Sequence, residues 1–161
     1  MQIFIIVPSL SLSGPIKGAL ALANSLSKDF DIILVFLKTS YPSFEIELNS
    51  NIEYLFLGKY ESYLKKYKFL QEYLNKSKEK KKLLFSMCLS ADLFTLFLDR
   101  KILKISSIRS NLFTNYFYVY NILGYPVALF HLIIQNLFDL TIVMNEKMKK
   151  QVNFFSKKEV V

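Results

Sequence analysis

Cysteine is nearly absent from this sequence, histidine occurs once, and glycine and proline only four times each among 161 residues. Each scarcity excludes something. Cys88, alone in a strand-like apolar run, cannot form an internal disulfide and rules out most cysteine-based metal sites, which fits a reducing compartment, with the cytosol as the expectation. His131 alone cannot build a multi-histidine metal site and, in an apolar helical run, reads as packed or interfacial rather than catalytic. So little glycine and proline argues against a loop-rich or disordered chain. No complete G-x-G-x-x-G occurs, so a self-contained dinucleotide site is not expected. The opening Met1-Gln2-Ile3-Phe4-Ile5-Ile6-Val7-Pro8 carries no basic residue, and its apolar run is shorter than the roughly 7 to 15 residues of a signal-peptide core. It reads as a strand.

What is present is apolar and basic. Hydrophobic residues make up 52% of the chain, with 15 Phe and 10 Tyr, and this length is enough for one packed domain. The 21 Lys and Arg exceed the 13 Asp and Glu, leaving a formal charge of +8. That balance favours an anionic neighbour: nucleic acid, an acidic lipid surface or a phosphorylated substrate.

Short β-branched and aromatic runs predict strands over 3–7, 31–37, 52–57, 83–88, 102–108 and 140–144. Their near-continuous apolar character suits parallel strands covered on both faces. Between the first two, Ser13 and Gly14 offer helix caps and Pro15 a first-turn residue, and Ile16, Ala19, Leu20, Ala23 and Leu26 recur at helical spacing. After the third strand, Tyr60, Tyr63, Leu64, Tyr67, Leu70 and Leu74 predict the apolar stripe of a second helix. Ser90 is the candidate cap of a third, and residues 146–155 form a last one. Residues 110–138 contain no formally charged side chain and are long enough for the roughly 20 apolar residues of a membrane span. Asn, Gln, Gly124, Pro126 and His131 within them favour instead one or two helices broken near Gly124 and Pro126. The alternation predicts an α/β, Rossmann-like, open and mostly parallel sheet with helices on both faces. Lys158-Glu159-Val160-Val161 looks like the opening of a further strand.

The ordered features resemble the N-terminal domain of retaining GT-B glycosyltransferases of the family-4-like, group 1 type. The resemblance is carried by Ile5-Ile6-Val7-Pro8-Ser9-Leu10, Ser13-Gly14-Pro15 and Ala19-Leu20-Ala21-Leu22-Ala23-Asn24-Ser25-Leu26 at the start. Ile105-Ser106-Ser107-Ile108-Arg109 at the fifth strand and Asp139-Leu140-Thr141-Ile142-Val143-Met144-Asn145-Glu146-Lys147-Met148-Lys149 at the sixth continue it. Phe154-Phe155-Ser156-Lys157-Lys158-Glu159-Val160-Val161 is similar to the segment that in this family leads into an Asn-Pro hinge and a donor domain. The resemblance implies that residues 1–161 are one half of a GT-B fold, the acceptor-side domain. The intact enzyme is then a longer hexosyltransferase, and the chain alone is expected to be inactive. Implied partners are a glycan or lipid-linked acceptor of surface polysaccharide or glycoconjugate synthesis, and a nucleotide sugar held by the missing domain. The nucleotide sugar is a donor substrate, and no cofactor is implied. The family's N-domain histidine belongs near a strand end, a place His131 does not occupy.

Candidate binding residues follow from positions at strand ends. Gly14 stands at a helix N-terminus, where free N–H groups favour anions and a bare backbone admits a phosphate or sugar; a plain tight turn explains it as well. Lys17 lies in the same first turn. Arg109, followed by Ser110 and Asn111, can aim a fixed positive charge into a cleft or form a salt bridge. Asn145 follows the sixth strand as a polar binder or as a helix cap. From Lys59 to Lys82 nine lysines stand against three glutamates, interleaved with aromatics. Lys65, Lys66 and Lys68 on that helix, with Tyr116 and Tyr120 beyond it, are candidate contacts for an anionic membrane or a hydrophobic acceptor, placing the protein peripherally on the inner face of the cell membrane. A solvated lysine-rich face is the alternative for the helix, and ordinary core packing for the tyrosines. Nucleic acid is not expected, because no recognised nucleic-acid motif accompanies the charge. Two other classes compete with the transferase reading. A receiver-type binding module needs carboxylates at the end of the first strand, where Ile6-Val7-Pro8-Ser9 has none. A small peripheral membrane protein without enzymatic role is the other.

Overall fold

The computed structural model describes residues 1–10, 13–38, 48–77, 79 and 81–161, in two compact units, Met1–Leu103 and Lys104–Val161. The connection around Tyr41-Pro42-Ser43 lies outside the described residues, as do Lys78 and Lys80 of the basic run.

In the first unit β1 (Gln2–Ser9) lies between β2 (Asp31–Lys38) and β4 (Lys82–Met87), and β3 (Glu53–Phe56) pairs with β2; every pairing is parallel. Ile3 to Val7 are all buried, so the strand is covered on both faces and needs no polar alternation. Pro8 is tolerated because the pairing with β4 ends at Ile6. Phe4 and Ile6, with Ile33, Val35 and Leu84, form one face of the sheet. Against it pack Leu70 and Leu74 of α2 (Tyr63–Lys76) and Ala91 and Phe94 of α3 (Leu89–Leu96). The alternate residues Ile5, Leu34 and Phe36 point the other way, towards Ile16, Ala19 and Ala23 of α1 (Gly14–Leu26). Each fully buried large side chain contributes about 1.5 to 3 kcal/mol of transfer free energy.

The strand and helix positions agree with the periodicity to within a residue or two at most ends, with two exceptions. Ser90 does not cap α3; Cys88 holds the N-cap position and Ser90 lies inside the helix. The apolar stripe of α2 is also displaced. Its buried line is Lys66, Leu70 and Leu74, four residues apart, whereas Tyr63 and Leu64 in the first turn are exposed. Lys66, expected with Lys65 and Lys68 on an outward basic face, is therefore buried. Its Nζ donates to the Leu37 carbonyl at 2.8 Å and lies 5.0 Å from the Tyr63 ring centroid. A lysine stem can fill an apolar groove provided its ammonium finds an acceptor, and the end of β2 supplies one. Lys66→Met is expected to lower stability by about 1 to 2 kcal/mol, because it removes a charge-assisted hydrogen bond from a buried carbonyl. Lys65→Met, on the exposed side, should stay within about 0.5 kcal/mol of wild type in the same urea titration.

In the second unit β5 (Leu103–Ile108) pairs in parallel with β6 (Leu140–Val143). Residues 159–161 lie beside β6: Val160 bridges Thr141, and the Val143 N–H donates to the Val161 carbonyl at 2.8 Å. The strand-like reading of the last four residues is thus realised as backbone pairing. Ile108, Leu112, Ala128, Leu132, Val152 and Val160 form this unit's core. It is closed by α4 (Leu112–Tyr120), α5 (Gly124–Ile134) and α6 (Glu146–Phe155).

The uncharged segment is a hairpin. Helical turns run without interruption over Leu112–Leu137, long and apolar enough to cross a membrane, and in one straight helix Tyr116 and Gly124 would stand about 12 Å apart. They touch instead: a methyl group on Gly124 would overlap the Tyr116 carbonyl and reach 2.6 Å from the Phe117 nitrogen. The reversal occurs at Asn121, whose φ of 52° no ordinary helix admits. The break expected near Gly124 and Pro126 therefore falls earlier. Gly124 provides the close crossing, and Pro126 sits in the first turn of α5, where a missing N–H is harmless.

Candidate functional site

In the second unit two helices begin just beyond the carboxyl ends of parallel strands, the place where open α/β sheets collect ligands. Asn111 caps α4, its Oδ1 accepting from the Thr114 N–H at 3.1 Å and from Gln151 Nε2 at 3.2 Å. Gln151 Oε1 in turn accepts from the Leu112 N–H at 3.3 Å, so α6 steadies the start of α4. Asn145 caps α6 by accepting from the Met148 N–H at 3.0 Å. Both caps satisfy donors that helix ends leave unpaired.

The two N-termini converge on a pocket of about 360 Å³ lined by Ser110, Asn111, Thr114, Asn115, Tyr118, Asn145, Lys147 and Met148. Helix N-termini carry partial positive charge, and Lys147 adds a full one. Hydroxyls of Ser110, Thr114 and Tyr118 and three side-chain amides supply donors and acceptors in both senses. Such a lining suits a hydroxyl-rich or anionic ligand, a sugar or a phosphate.

Of the residues singled out from the sequence, the structure brings Asn111 and Asn145 into this pocket. Arg109 follows β5 directly and is half-buried, but it is not among the lining side chains. Gly14 and Lys17 belong to the first unit, in the first turn of α1, with Lys17 exposed. Nothing lies within 4 Å of a methyl built on Gly14, so neither turn geometry nor packing requires glycine there. Thr114, Asn115 and Lys147 were not picked out from the sequence as site residues. The available signal was the capping residue itself, since whatever follows an N-cap within one turn shares its end of the helix.

In the first unit the strand order reverses at β1, flanked by β2 on one side and β4 on the other, which makes the β1/β4 crevice a topological switch point. The turn after β4 carries Cys88 at φ 77°, a conformation that favours glycine. Ser86 Oγ donates to Asp92 Oδ1 at 2.6 Å, with both side chains fully buried. Burial, and then the Asp92 carboxylate, push the Cys88 thiol up to about 11. The thiol is thus protonated at neutral pH and is no activated nucleophile. At pH 8 only about one thiol in a thousand is ionised, so iodoacetamide labelling should accelerate roughly tenfold per pH unit through pH 10. A plateau near pH 9 would refute the shift. The raised value also favours the folded state below pH 9, the unperturbed value, and that contribution is lost as pH rises towards about 11.

A second opening, of about 510 Å³, lies between α2 and α3, lined by Tyr63, Leu64, Tyr67, Ser90, Leu93, Phe94 and Phe97. It is almost wholly apolar and exists because the first turn of α2 is not buried. Lys65 and Lys68 are exposed on that helix as expected. Tyr116 and Tyr120 stack with centroids 6.2 Å apart, and the Tyr116 hydroxyl is 2.9 Å from His131 Nδ1. Tyr116 is therefore held inward, while Tyr120 stays exposed. His131 is packed, as its apolar surroundings suggested.

No protein-family model matches the sequence, and no curated protein matches it. Among solved structures the chain is similar to UGT2 of Phytolacca americana, a UDP-glycosyltransferase of the GT-B fold. Against the apo structure the TM-score is 0.65 at 14% identity, covering 99% of this chain and 51% of that one. Against UGT2 complexed with UDP-2fluoro-glucose and pterostilbene it is 0.60 at 14% identity, covering 89% of this chain and 46% of that one. The chain spans about half the length of these structures. At this identity the likeness shows the fold alone: an α/β, Rossmann-like domain.

Proposed function

We propose that the chain is the acceptor-side half of a retaining, family-4-like hexosyltransferase. In this reading a second domain holds a nucleotide sugar, and the acceptor is a glycan on a lipid carrier in surface polysaccharide or glycoconjugate synthesis. The observation that carries the reading is the pocket where α4 and α6 begin: two helix N-termini, Lys147 and a hydroxyl and amide lining meet at the carboxyl ends of β5 and β6. The fold shared with half of UGT2 supports it, and so does the complex of that protein with UDP-2fluoro-glucose and pterostilbene.

Acceptor binding does not need the donor half. Titration with glycans and sugar phosphates, followed by NMR, should shift the amides of Ser110, Thr114 and Lys147, with affinity reduced several-fold in Lys147→Ala and Thr114→Val. These variants spare the capping asparagines and hence the fold. Calorimetry with UDP-glucose should give weak binding or none. Tight, saturable binding of the nucleotide sugar would overturn the acceptor-side assignment, and absence of any glycan binding would remove the transferase reading.

A further inference from the structure

Among the described residues none covers the tip of the α4–α5 hairpin. Tyr118 is 82% exposed, Ile122 74% and Leu123 71%, and Val119, Tyr120 and Tyr125 around them are exposed as well. Tyr118, Val119 and Tyr120 are consecutive residues at the end of a helix, each turned about 100° from the last. Apolar surface therefore surrounds the tip, and it continues along α5 through Leu129, Phe130 and Ile133. A typical protein interface meets one side of a helix and carries charge at its rim. Here residues 110–138 carry no formal charge at all. An apolar solvent that closes round a protrusion fits this shape.

Charge at the other end of the hairpin selects the kind of bilayer. Asn136, just past α5, accepts from the Lys157 N–H at 2.9 Å and donates to the Phe155 carbonyl at 2.9 Å, which fixes Lys157 and Lys158 at the base. Both lysines are exposed, about 16 Å behind the tip by the length of α5. Tyrosines at the tip are amphipathic rings of the kind that settle at headgroup level. We infer that this hairpin docks the protein on an anionic lipid bilayer, with Ile122 and Leu123 entering the acyl boundary and the basal lysines facing the headgroups. This docking stands whether or not the transferase reading does.

The test is flotation of the full chain with phosphatidylcholine vesicles, with and without phosphatidylglycerol, beside the variant carrying both Ile122→Ser and Leu123→Ser. Both positions are solvent-exposed, so circular dichroism should show the variant folded. Wild type should float with the mixed vesicles, brominated lipid should quench its tyrosine emission, and the double variant should bind at least about tenfold more weakly. Failure of wild type to bind, or equal binding by the folded variant, overturns the proposal. Dimerisation in sedimentation runs that the variant abolishes, without vesicle binding, also overturns it and assigns the tip to a second copy of the chain.

Discussion

Gly124→Ala is expected to destabilise the protein by about 3 kcal/mol, read as a lowered urea midpoint with loss of the Tyr116–His131 hydrogen bond. The added methyl would overlap the Tyr116 carbonyl and lie 2.6 Å from the Phe117 nitrogen. Both are backbone atoms of a helix, so no side-chain rotation can relieve the overlap. α4 and α5 must separate, and the packing of Leu112 against Ala128 and Leu132 loosens with them. Gly14→Ala is the internal control. It places the same methyl at the start of a helix with nothing within 4 Å, and should be neutral or stabilising by up to about 1 kcal/mol through the lost flexibility of the unfolded chain. Equal costs at the two glycines would sink the close-crossing argument.

Asp92→Ala should have a comparable effect, about 3 kcal/mol. It leaves the fully buried Ser86 hydroxyl without its 2.6 Å acceptor and removes an acidic group from the first turn of α3, where the helix dipole favours it. Asp92→Asn keeps an acceptor oxygen and should cost less. The same pair tests the coupling to Cys88. Since the carboxylate is the second cause of the raised thiol, after burial, Asp92→Asn should move the labelling profile to lower pH without restoring an ordinary cysteine. An unmoved profile would remove the carboxylate as a cause, and burial alone would then account for the shift.

The legible part of this protein is its local structure. Ile3 to Val7 and Asp31 to Leu37 are strands because β-branched residues pack on a pleated surface, and the Ser13-Gly14-Pro15 start of α1 and the Asn145 cap of α6 are local chemistry. The helical stripe of α2 was misplaced because aromatic residues at its start looked like core. One ring, Tyr63, and Leu64 there remain in solvent, and a lysine four residues before Leu70 turns inward. Periodicity weighs residue types and cannot see an acceptor such as the Leu37 carbonyl waiting across the sheet. The pocket was half legible: Asn111 and Asn145 were visible as strand-end residues, whereas Lys147 and Thr114 depended on how two helices distant in sequence converge.

By itself the sequence determined the alternation of strands and helices, the parallel α/β class and the positions of most turns, since these follow from the apolar period and from residues with fixed backbone preferences. Only the tertiary structure decided three things. It folded the uncharged run back on itself at Asn121 rather than letting it run straight, because a glycine eight residues from Tyr116 permits two backbones to touch. It buried Lys66 and exposed Tyr118, Ile122 and Leu123, reversing what hydrophobicity alone would assign. It also brought two capped helix ends together around Lys147. The first needs a backbone reversal that residue periodicity does not encode, and the burial of Lys66 and the meeting of the helix ends join segments remote in sequence.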